Sequence, residues 1–266
     1  MSPTISVRIF ITVYKNVPYL QKVLDSIELQ NYRNFAVSIL EDGDSEIVKN
    51  FIKNIHYSYP IQHIQQEDIG FRKNKILNKG IENAMEDLII FLDEDCMLHP
   101  NFVENYVKNY KEDTVLFAKR VNIDKVTTEK LLSSKSCKPS FLSLFLNKAN
   151  HIEDGFYLPL KRLKTTNKPS LLGCNMAIPL KILKAVNGFD EDYELPGYGE
   201  DSDIQWRIQK AGYKFINTKF HTVQYHLFHE RPQREDQTSK SREIYLKKIE
   251  LGEVFCKNGL VKNVGC

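Results

Sequence analysis

Apolar positions in the first third of the chain follow two alternating patterns, one typical of strands and one of helices. Apolar runs at 7–13, 35–40 and 88–92 predict buried strands, and a shorter run at 61–64 predicts another. Between these runs, apolar residues recur at helical spacing in 17–30, from Ile47 onward and in 76–85. Strands that alternate with helices are typical of a mostly parallel sheet covered on both faces. We therefore expect an α/β fold.

The pattern is less regular in the middle of the chain and becomes regular again later. Residues 127–169 are rich in Lys and Ser and contain one apolar run at 141–146, which we interpret as part of a lobe or flap over a cleft. The later elements predicted by spacing are helices at 179–186 and 201–211, a strand ending at His226 and a peripheral helix at 236–255.

Three polar clusters, 12–14, 41–44 and 93–95, directly follow predicted strands. In parallel sheets, ligands bind beyond the carboxyl ends of the strands, so these clusters should lie along one edge. The carboxylates of Asp93 and Asp95 suit Mg²⁺ or Mn²⁺, although an acidic turn after a strand is as often a solvated loop. The absence of a Gly-x-Gly-x-x-Gly sequence and of a Gly-Lys-Ser/Thr loop disfavours a dehydrogenase and a P-loop ATPase.

A second acidic cluster lies at 197–204, where two glycines precede Glu200 and Asp201. A carboxylate at the start of a helix is stabilised in its ionised form, and the glycines leave room for a ligand near the backbone. The simpler interpretation is that these acids cap and solubilise the helix. Likewise, His226 and His229 follow a short strand and are either metal ligands or packing histidines.

Composition and charge limit the kinds of protein and of partner that the sequence allows. The 266 residues are 42% apolar and 27% charged, which is ordinary for a globular protein. The net charge is +3, but residues 205–266 hold 12 basic and 6 acidic residues. This tail can steer an anionic substrate or contact an anionic membrane face, and a solvated helix surface explains it equally well.

Further features of the sequence indicate the cellular location of the protein and the redox state of its cysteines. No apolar run reaches the roughly 20 residues of a membrane-spanning helix, and the first residues lack a signal-peptide pattern, so a cytoplasmic location is expected. Five cysteines without a Cys-x-x-Cys pair indicate reduced thiols.

Six motifs occur in the order seen in family 2 glycosyltransferases, and the later half resembles chondroitin polymerase and β-1,4-galactosyltransferase. The motifs lie at 7–14, 41–43, 70–72 with 77–81, 93–95, 172–176, and 188–191 with 199–203. The resemblance covers about residues 5–230 and implies a GT-A fold, a nucleotide-sugar donor, a divalent cation (Mn²⁺ or Mg²⁺) and inversion at the anomeric carbon. It divides one domain into a nucleotide-sugar half at 1–118 and a smaller acceptor and catalytic half at 119–235, followed by the peripheral helix at 236–266.

The same resemblance implies roles for individual residues. On the donor side it indicates Thr12 and Tyr14 for the uridine pocket, Asp42 for the uracil ring, Asn78, Arg72 near the base or the phosphates, and Asp93 for the ribose or the metal. It indicates Asp95 as the direct metal ligand, completed by His226 with His229 in reserve. Asp201 resembles the catalytic base, with Glu200 beside it, and Asn175, Tyr198 and Glu200 fall on the acceptor side. Three of these have simpler explanations: turn chemistry for Asp42, solvent exposure for Arg72, and a buried backbone contact for Asn175.

These observations favour an enzyme that transfers a hexose or N-acetylhexosamine from a UDP-sugar to a glycan or lipid-linked glycan, as in surface polysaccharide synthesis. Tyr198 stands where related proteins often have Trp, so the motif does not determine which sugar is transferred. Peripheral contact with a membrane is compatible with the basic segments, and no nucleic-acid partner is expected. Two alternatives remain: a metal-dependent phosphohydrolase or nuclease built on the same carboxylates, and a non-catalytic module that binds sugar nucleotides.

Overall fold

The structure is a computed structural model and describes residues 4–147, 149–160, 163–230 and 235–262. Every strand and helix predicted in the first third of the chain is present. In chain order they are β1 (Val7–Val13), α1 (Val17–Glu28), β2 (Phe35–Glu41), α2 (Glu46–Asn54), β3 (Ile61–Gln65), α3 (Lys73–Glu82) and β4 (Leu88–Asp93).

The second part of the chain holds shorter elements, several of which the apolar pattern did not indicate. The strands are β5 (Cys96–Leu98), β6 (Thr114–Phe117), β7 (Val121–Asn122), β8 (Met176–Pro179), β9 (Lys214–Asn217) and β10 (Gln224–His226). The helices are α4 (Phe102–Lys108), α5 (Lys125–Leu132), α6 (Phe141–Leu146), α7 (Leu180–Ala185), α8 (Glu200–Lys210) and α9 (Glu235–Leu251), with a 3₁₀ turn at Ile152–Gly155.

Seven strands form a central sheet in the order β3-β2-β1-β4-β8-β6-β9. Only β8 runs antiparallel to its neighbours β4 and β6, so the prediction of a mostly parallel sheet is confirmed. Thr12 lies opposite both Leu40 and Asp93, so the ends of β1, β2 and β4 meet at one edge. Because β8 and β9 complete this sheet, the halves predicted at 1–118 and 119–235 share it.

A second sheet, in the order β5-β10-β7, lies just beyond the edge where β4 ends. β10 pairs with β5 in antiparallel fashion and places His226 opposite Cys96, the residue after Asp95. The short turn from β4 into β5 therefore carries an acidic residue to the end of a strand that comes more than 120 positions later. This pairing brings together two of the predicted metal ligands.

The hydrophobic core consists of three clusters. Alternating residues of β1 point to opposite faces of the central sheet: Ile9 and Ile11 pack with α1, and Phe10 packs with α3. A third cluster lies under the small sheet and includes Leu131 of α5 and Leu144 of α6. The region predicted as a flap at 127–169 is thus anchored to the body of the protein by its own apolar side chains.

The C-terminal helix α9 is anchored by charge as much as by apolar packing. The Lys248 ammonium, which is mostly buried, bonds the carboxylates of Asp190 and Asp192, the second at 2.6 Å. The Tyr245 ring packs edge-on against Tyr198, with 5.6 Å between ring centroids. Across the described ranges, no helix combines the length and the apolar character needed to cross a lipid bilayer.

Candidate active site

A first cavity, of about 530 Å³, opens at the edge where β1, β2 and β4 end. Its walls come from three of the polar clusters predicted to converge there and from the loop before α3. The lining residues are Thr12, Val13, Tyr14, Asp42, Asp68, Gly70, Phe71, Lys73, Asp93, Glu94 and Asp95. Residues 88–92 are buried apolar strand, so the carboxylates stand at the first position of this segment that reaches water.

Asp42 organises one wall of the first cavity. One of its carboxylate oxygens accepts a hydrogen bond from the backbone N–H of Arg72 and the other from the Gln66 amide, both at 2.7 Å. Asp42 therefore fixes the loop that leads into α3 and also lines the cavity. The Arg72 side chain lies elsewhere: its guanidinium donates to the backbone oxygen of Glu67 and lines a separate cavity. The prediction that this guanidinium faces the donor pocket does not agree with its position.

A second cavity, of about 260 Å³, adjoins the first and shares Phe71, Lys73 and Asp93 with it. Its other walls come from the loop before β8 and the segment that opens α8. They are Arg120, Leu172, Gly173, Cys174, Pro196, Gly197, Tyr198, Glu200 and Asp201. Asp95 and Asp201 thus line adjoining cavities that meet at three shared residues.

Lys73, which the sequence analysis did not single out, lies where the two cavities meet. Its ammonium is 2.9 Å from an Asp93 carboxylate oxygen and 3.1 Å from a Glu200 oxygen, with 15% of the side chain exposed. Burial opposes the charge, but the two carboxylates outweigh it and hold the pKa of Lys73 well above its ordinary value. A permanent positive charge therefore lies between the two acidic clusters.

The Asp93 carboxylate is surrounded by donors. One oxygen accepts from the Thr12 hydroxyl at 2.8 Å and from Lys73, and the other lies 3.8 Å from Arg120. Burial tends to raise the pKa of Asp93, but the Lys73 and Arg120 charges prevail and lower it. One oxygen of Asp93 is thus bound by two protein donors, and the other faces the positive charge of Arg120.

One cluster that suits a cation is formed by Asp95, His226 and His229. One Asp95 oxygen is 3.2 Å from the Nε2 atoms of both histidines. Burial lowers the pKa of His226 and favours the neutral ring, whereas burial of Asp95 is outweighed by hydrogen bonds from both histidines, which lower the pKa of Asp95. A carboxylate oxygen and two ring nitrogens within 4.8 Å of one another are donors that Mn²⁺ accepts. His229 thus belongs to the cluster together with His226, and Asp93 lies outside it.

The three acids at the start of α8 have different surroundings. Asp203 is buried and pairs with the buried Arg207 at 2.7 Å, so its role is structural. Glu200 pairs with Lys73, and burial raises the pKa of Glu200. Asp201 lines the second cavity and has the Ser202 hydroxyl 3.5 Å away. Of the three carboxylates, Asp201 therefore has the weakest ties to the protein.

Gly199 is required by the backbone that presents these acids. Its φ is +107°, and a Cβ at this position would lie 2.4 Å from the ring of Tyr193. Only glycine adopts this conformation without strain and lets the Tyr193 ring approach so closely. The chain therefore turns sharply into α8, and Tyr198, Glu200 and Asp201 face one cavity.

Two amides predicted to contact ligands are buried in the protein instead. The Asn78 side chain, 1% exposed, donates to the backbone oxygen of Phe189 and accepts from its N–H, both at 2.8 Å. The Asn175 side chain, fully buried, accepts from the Tyr106 hydroxyl at 2.6 Å and donates to the backbone oxygen of Lys119 at 2.8 Å. These bonds satisfy both amides, so their positions correct the prediction of donor contact for Asn78 and acceptor contact for Asn175.

Comparison with known proteins identifies the family and the fold of the chain. The sequence profile of glycosyl transferase family 2 matches residues 8–186, and a profile described as the N-terminal domain of galactosyltransferase matches residues 162–231. Chondroitin synthase of Escherichia coli is 25% identical over 224 residues, which cover 78% of this chain and 32% of the synthase. The chain thus spans about a third of the length of this curated relative.

Two solved structures show the same fold. GalNAc-T7 with UDP, GalNAc and Mn²⁺ matches with a TM-score of 0.67 and 14% identity, covering 93% of this chain and 48% of that one. The mannosyltransferase PcManGT of Pyrobaculum calidifontis, in complex with GDP-Man and Mn²⁺, matches with a TM-score of 0.62 and 14% identity, covering 94% and 65%. The fold is GT-A, as the resemblance implied. Since the family profile matches well over half of its residues, the chain belongs to glycosyl transferase family 2.

Proposed function

We propose that this glycosyltransferase moves a hexose or N-acetylhexosamine from a UDP-sugar to a hydroxyl of a glycan acceptor, with inversion. The observation that supports this is the pair of adjoining cavities that meet at Phe71, Lys73 and Asp93. A nucleotide in the first cavity and an acceptor in the second approach one sugar carbon from different sides. Inversion requires this geometry, because the acceptor attacks opposite to the departing diphosphate.

The nucleotide-sugar donor is proposed to bind in the first cavity. Tyr14 is half exposed there and offers an aromatic face to a base, while Thr12 and Asp42 provide polar groups at its floor and wall. The related structures carry UDP in one case and GDP-mannose in the other. The order of the sequence motifs favours UDP over GDP as the nucleotide of the donor.

Asp95, His226 and His229 are the residues that would hold the cation. Their one oxygen and two nitrogens fit Mn²⁺ better than Mg²⁺, which prefers oxygen ligands. When bound, a divalent ion neutralises the charge that develops on the leaving diphosphate. Lys73 adds a second, permanent positive charge at the boundary between the cavities.

Asp201 is assigned the role of the base. Its carboxylate takes the proton of the acceptor hydroxyl while the oxygen of that hydroxyl bonds to the anomeric carbon and the nucleoside diphosphate leaves. Glu200, held by Lys73, orients the acceptor, and the Tyr198 ring provides a surface on which a sugar can stack.

The proposed acceptor is a glycan. The relative from Escherichia coli is named for chondroitin synthesis, which is consistent with a role in surface polysaccharide assembly. A hydrolase that uses the same carboxylates would need no acceptor, so turnover distinguishes the two activities.

Thermal stabilisation by nucleotides tests the proposal, because a ligand that binds only the folded protein raises Tm. UDP with Mn²⁺ should raise Tm more than GDP with Mn²⁺ or UDP with a chelator. UDP release from a panel of UDP-sugars should then require an added glycan. A larger shift with GDP would refute the UDP assignment, and equal release of UDP without a glycan would identify a hydrolase.

A further inference from the structure

One face of α6 is apolar and exposed. Phe141, Leu142, Phe145 and Leu146 recur at positions i, i+1, i+4 and i+5, so they share one side of the helix. Phe156 joins this side, with 4.8 Å between its ring centroid and that of Phe141. These five side chains, here called the α6 face, are between 43% and 68% exposed. A group of large exposed apolar residues of this kind usually marks a binding surface.

The rest of α6 is held by the protein, which keeps the α6 face directed outward. Leu144, on the opposite side, is 1% exposed and belongs to the third hydrophobic cluster. The Ser140 hydroxyl accepts from the Ser143 N–H and caps the helix, and the Ser143 hydroxyl lies 2.9 Å from that of Thr127 in α5. The helix is thus fixed to α5 by polar contacts and to the core by one leucine.

The sequence around the α6 face is strongly basic. Residues 125–168 contain nine Lys and Arg against three Asp and Glu, a net charge of +6 in a chain whose total is +3. One of the three acids, Asp154, is buried and paired with Lys219 at 2.9 Å. Four lysines of α5 and of the segment between α5 and α6 are exposed and have no carboxylate partner among the described residues: Lys125, Lys130, Lys135 and Lys138.

We propose that the α6 face and the four lysines of 125–138 dock this protein on an anionic lipid bilayer. Exposed Phe and Leu side chains insert at the boundary between headgroups and acyl chains, and lysines beside them bind anionic headgroups. A symmetric contact with a second copy is disfavoured, because a twofold interface would place this basic segment opposite itself. An anionic bilayer fits both features, because its acyl chains can accept the apolar side chains and its headgroups carry a charge opposite to that of the lysines.

The inference goes beyond the proposed function and does not depend on it. Docking needs neither donor nor metal, so vesicle binding is measured apart from turnover. The α6 face also contributes no residue to the first or second cavity. Substitutions on it are therefore expected to leave nucleotide binding unchanged.

Co-sedimentation of the full chain with vesicles tests the proposal. Vesicles of phosphatidylcholine with phosphatidylglycerol should bind the protein, pure phosphatidylcholine should bind it weakly, and added salt should release it. The double variant Leu142→Ser/Phe145→Ser should weaken binding by about tenfold or more. The variant Lys135→Glu/Lys138→Glu should weaken binding to the anionic vesicles alone.

A matched control is provided by Ile47 and Met85, two exposed apolar residues far along the sequence from α6. The variant Ile47→Ser/Met85→Ser removes similar exposed apolar area and should bind vesicles like the unmodified protein. Light scattering without vesicles measures self-association. The proposal is overturned if vesicles fail to bind, if the α6 variant binds as well as the control, or if the α6 face instead supports a dimer that the variant dissociates.

Discussion

Lys73 donates a hydrogen bond to Glu200 over 3.1 Å, joining residues 127 positions apart. The contact links the first turn of α3 to the first turn of α8, and the same ammonium lies 2.9 Å from Asp93. One cation therefore neutralises a carboxylate of the first cavity and a carboxylate of the second. In the proposed reaction, this places a fixed positive charge beside the departing diphosphate.

Replacing Lys73 with Met should weaken binding of UDP. Without the ammonium, Asp93 and Glu200 face the cavities as uncompensated negative charges and repel a diphosphate. We expect the Kd for UDP with Mn²⁺, measured by calorimetry, to rise by about tenfold, or about 1.4 kcal/mol. Lys73→Arg keeps the charge and should restore most of the affinity. The neighbouring Lys75→Met is the control, and an equal loss in that variant would contradict the assignment.

Removing either histidine of the cation cluster should weaken metal binding. His226→Ala and His229→Ala each take one nitrogen from a site with three donors, so the affinity for Mn²⁺ should fall by at least about tenfold. Titration of Mn²⁺ followed by electron paramagnetic resonance measures this directly. His56→Gln, an exposed histidine, should have no effect. Unchanged affinity in both cluster variants would place the cation elsewhere.

The sequence predicted the first strands of the central sheet well because they are long and buried on both faces. β1, β2 and β4 are nearly continuous apolar runs, so their identity does not depend on neighbours. The strand ending at His226 was predicted, but β5, β6, β7 and β9 contain only two to four residues, and no periodicity distinguishes strands of this length. Their pairing is decided by tertiary contacts, which the pattern of apolar residues does not contain.

The sequence likewise predicted some residues of the candidate site and missed others. The order of motifs indicated Asp95 and Asp201, the resemblance added His226 with His229 in reserve, and the structure brings Asp95 close to both histidines. Lys73 and Arg120 were missed because a lysine in a basic helix and an arginine between short strands resemble solvated surface residues. Their importance follows from burial beside Asp93, which only the folded chain shows.

Asn78 should matter for stability and not for donor binding. Its amide makes two hydrogen bonds to the backbone of Phe189 and one to Glu191 at 2.9 Å. Asn78→Ala leaves these partners without replacements, so the free energy of unfolding should fall by about 2–3 kcal/mol. Urea denaturation measures this loss, and the exposed Asn83→Ala is the control. A weakened affinity for UDP at unchanged stability would return Asn78 to the donor site.

His99 should make the stability of the protein depend on pH. Burial lowers the pKa of His99 to about 4, below its ordinary value of 6.5. The unfolded chain therefore binds more protons between these values, and the protein should lose up to about 3 kcal/mol as the pH falls from 6.5 towards 4. His99→Gln should remove this part of the slope in urea denaturation, and the exposed His56→Gln should keep it. Parallel curves for the His99 variant and the unmodified protein would contradict this account.

In the proposed reaction, Asp201 takes the proton of the acceptor while a different part of the site holds the donor. The most direct measurement compares Asp201→Asn with the unmodified protein in two assays, the Kd for UDP with Mn²⁺ and the rate of sugar transfer to a glycan that supports turnover. We expect an unchanged Kd and a transfer rate reduced by at least about a hundredfold, because general base catalysis contributes that much or more. Near-normal transfer by this variant would contradict this role of Asp201.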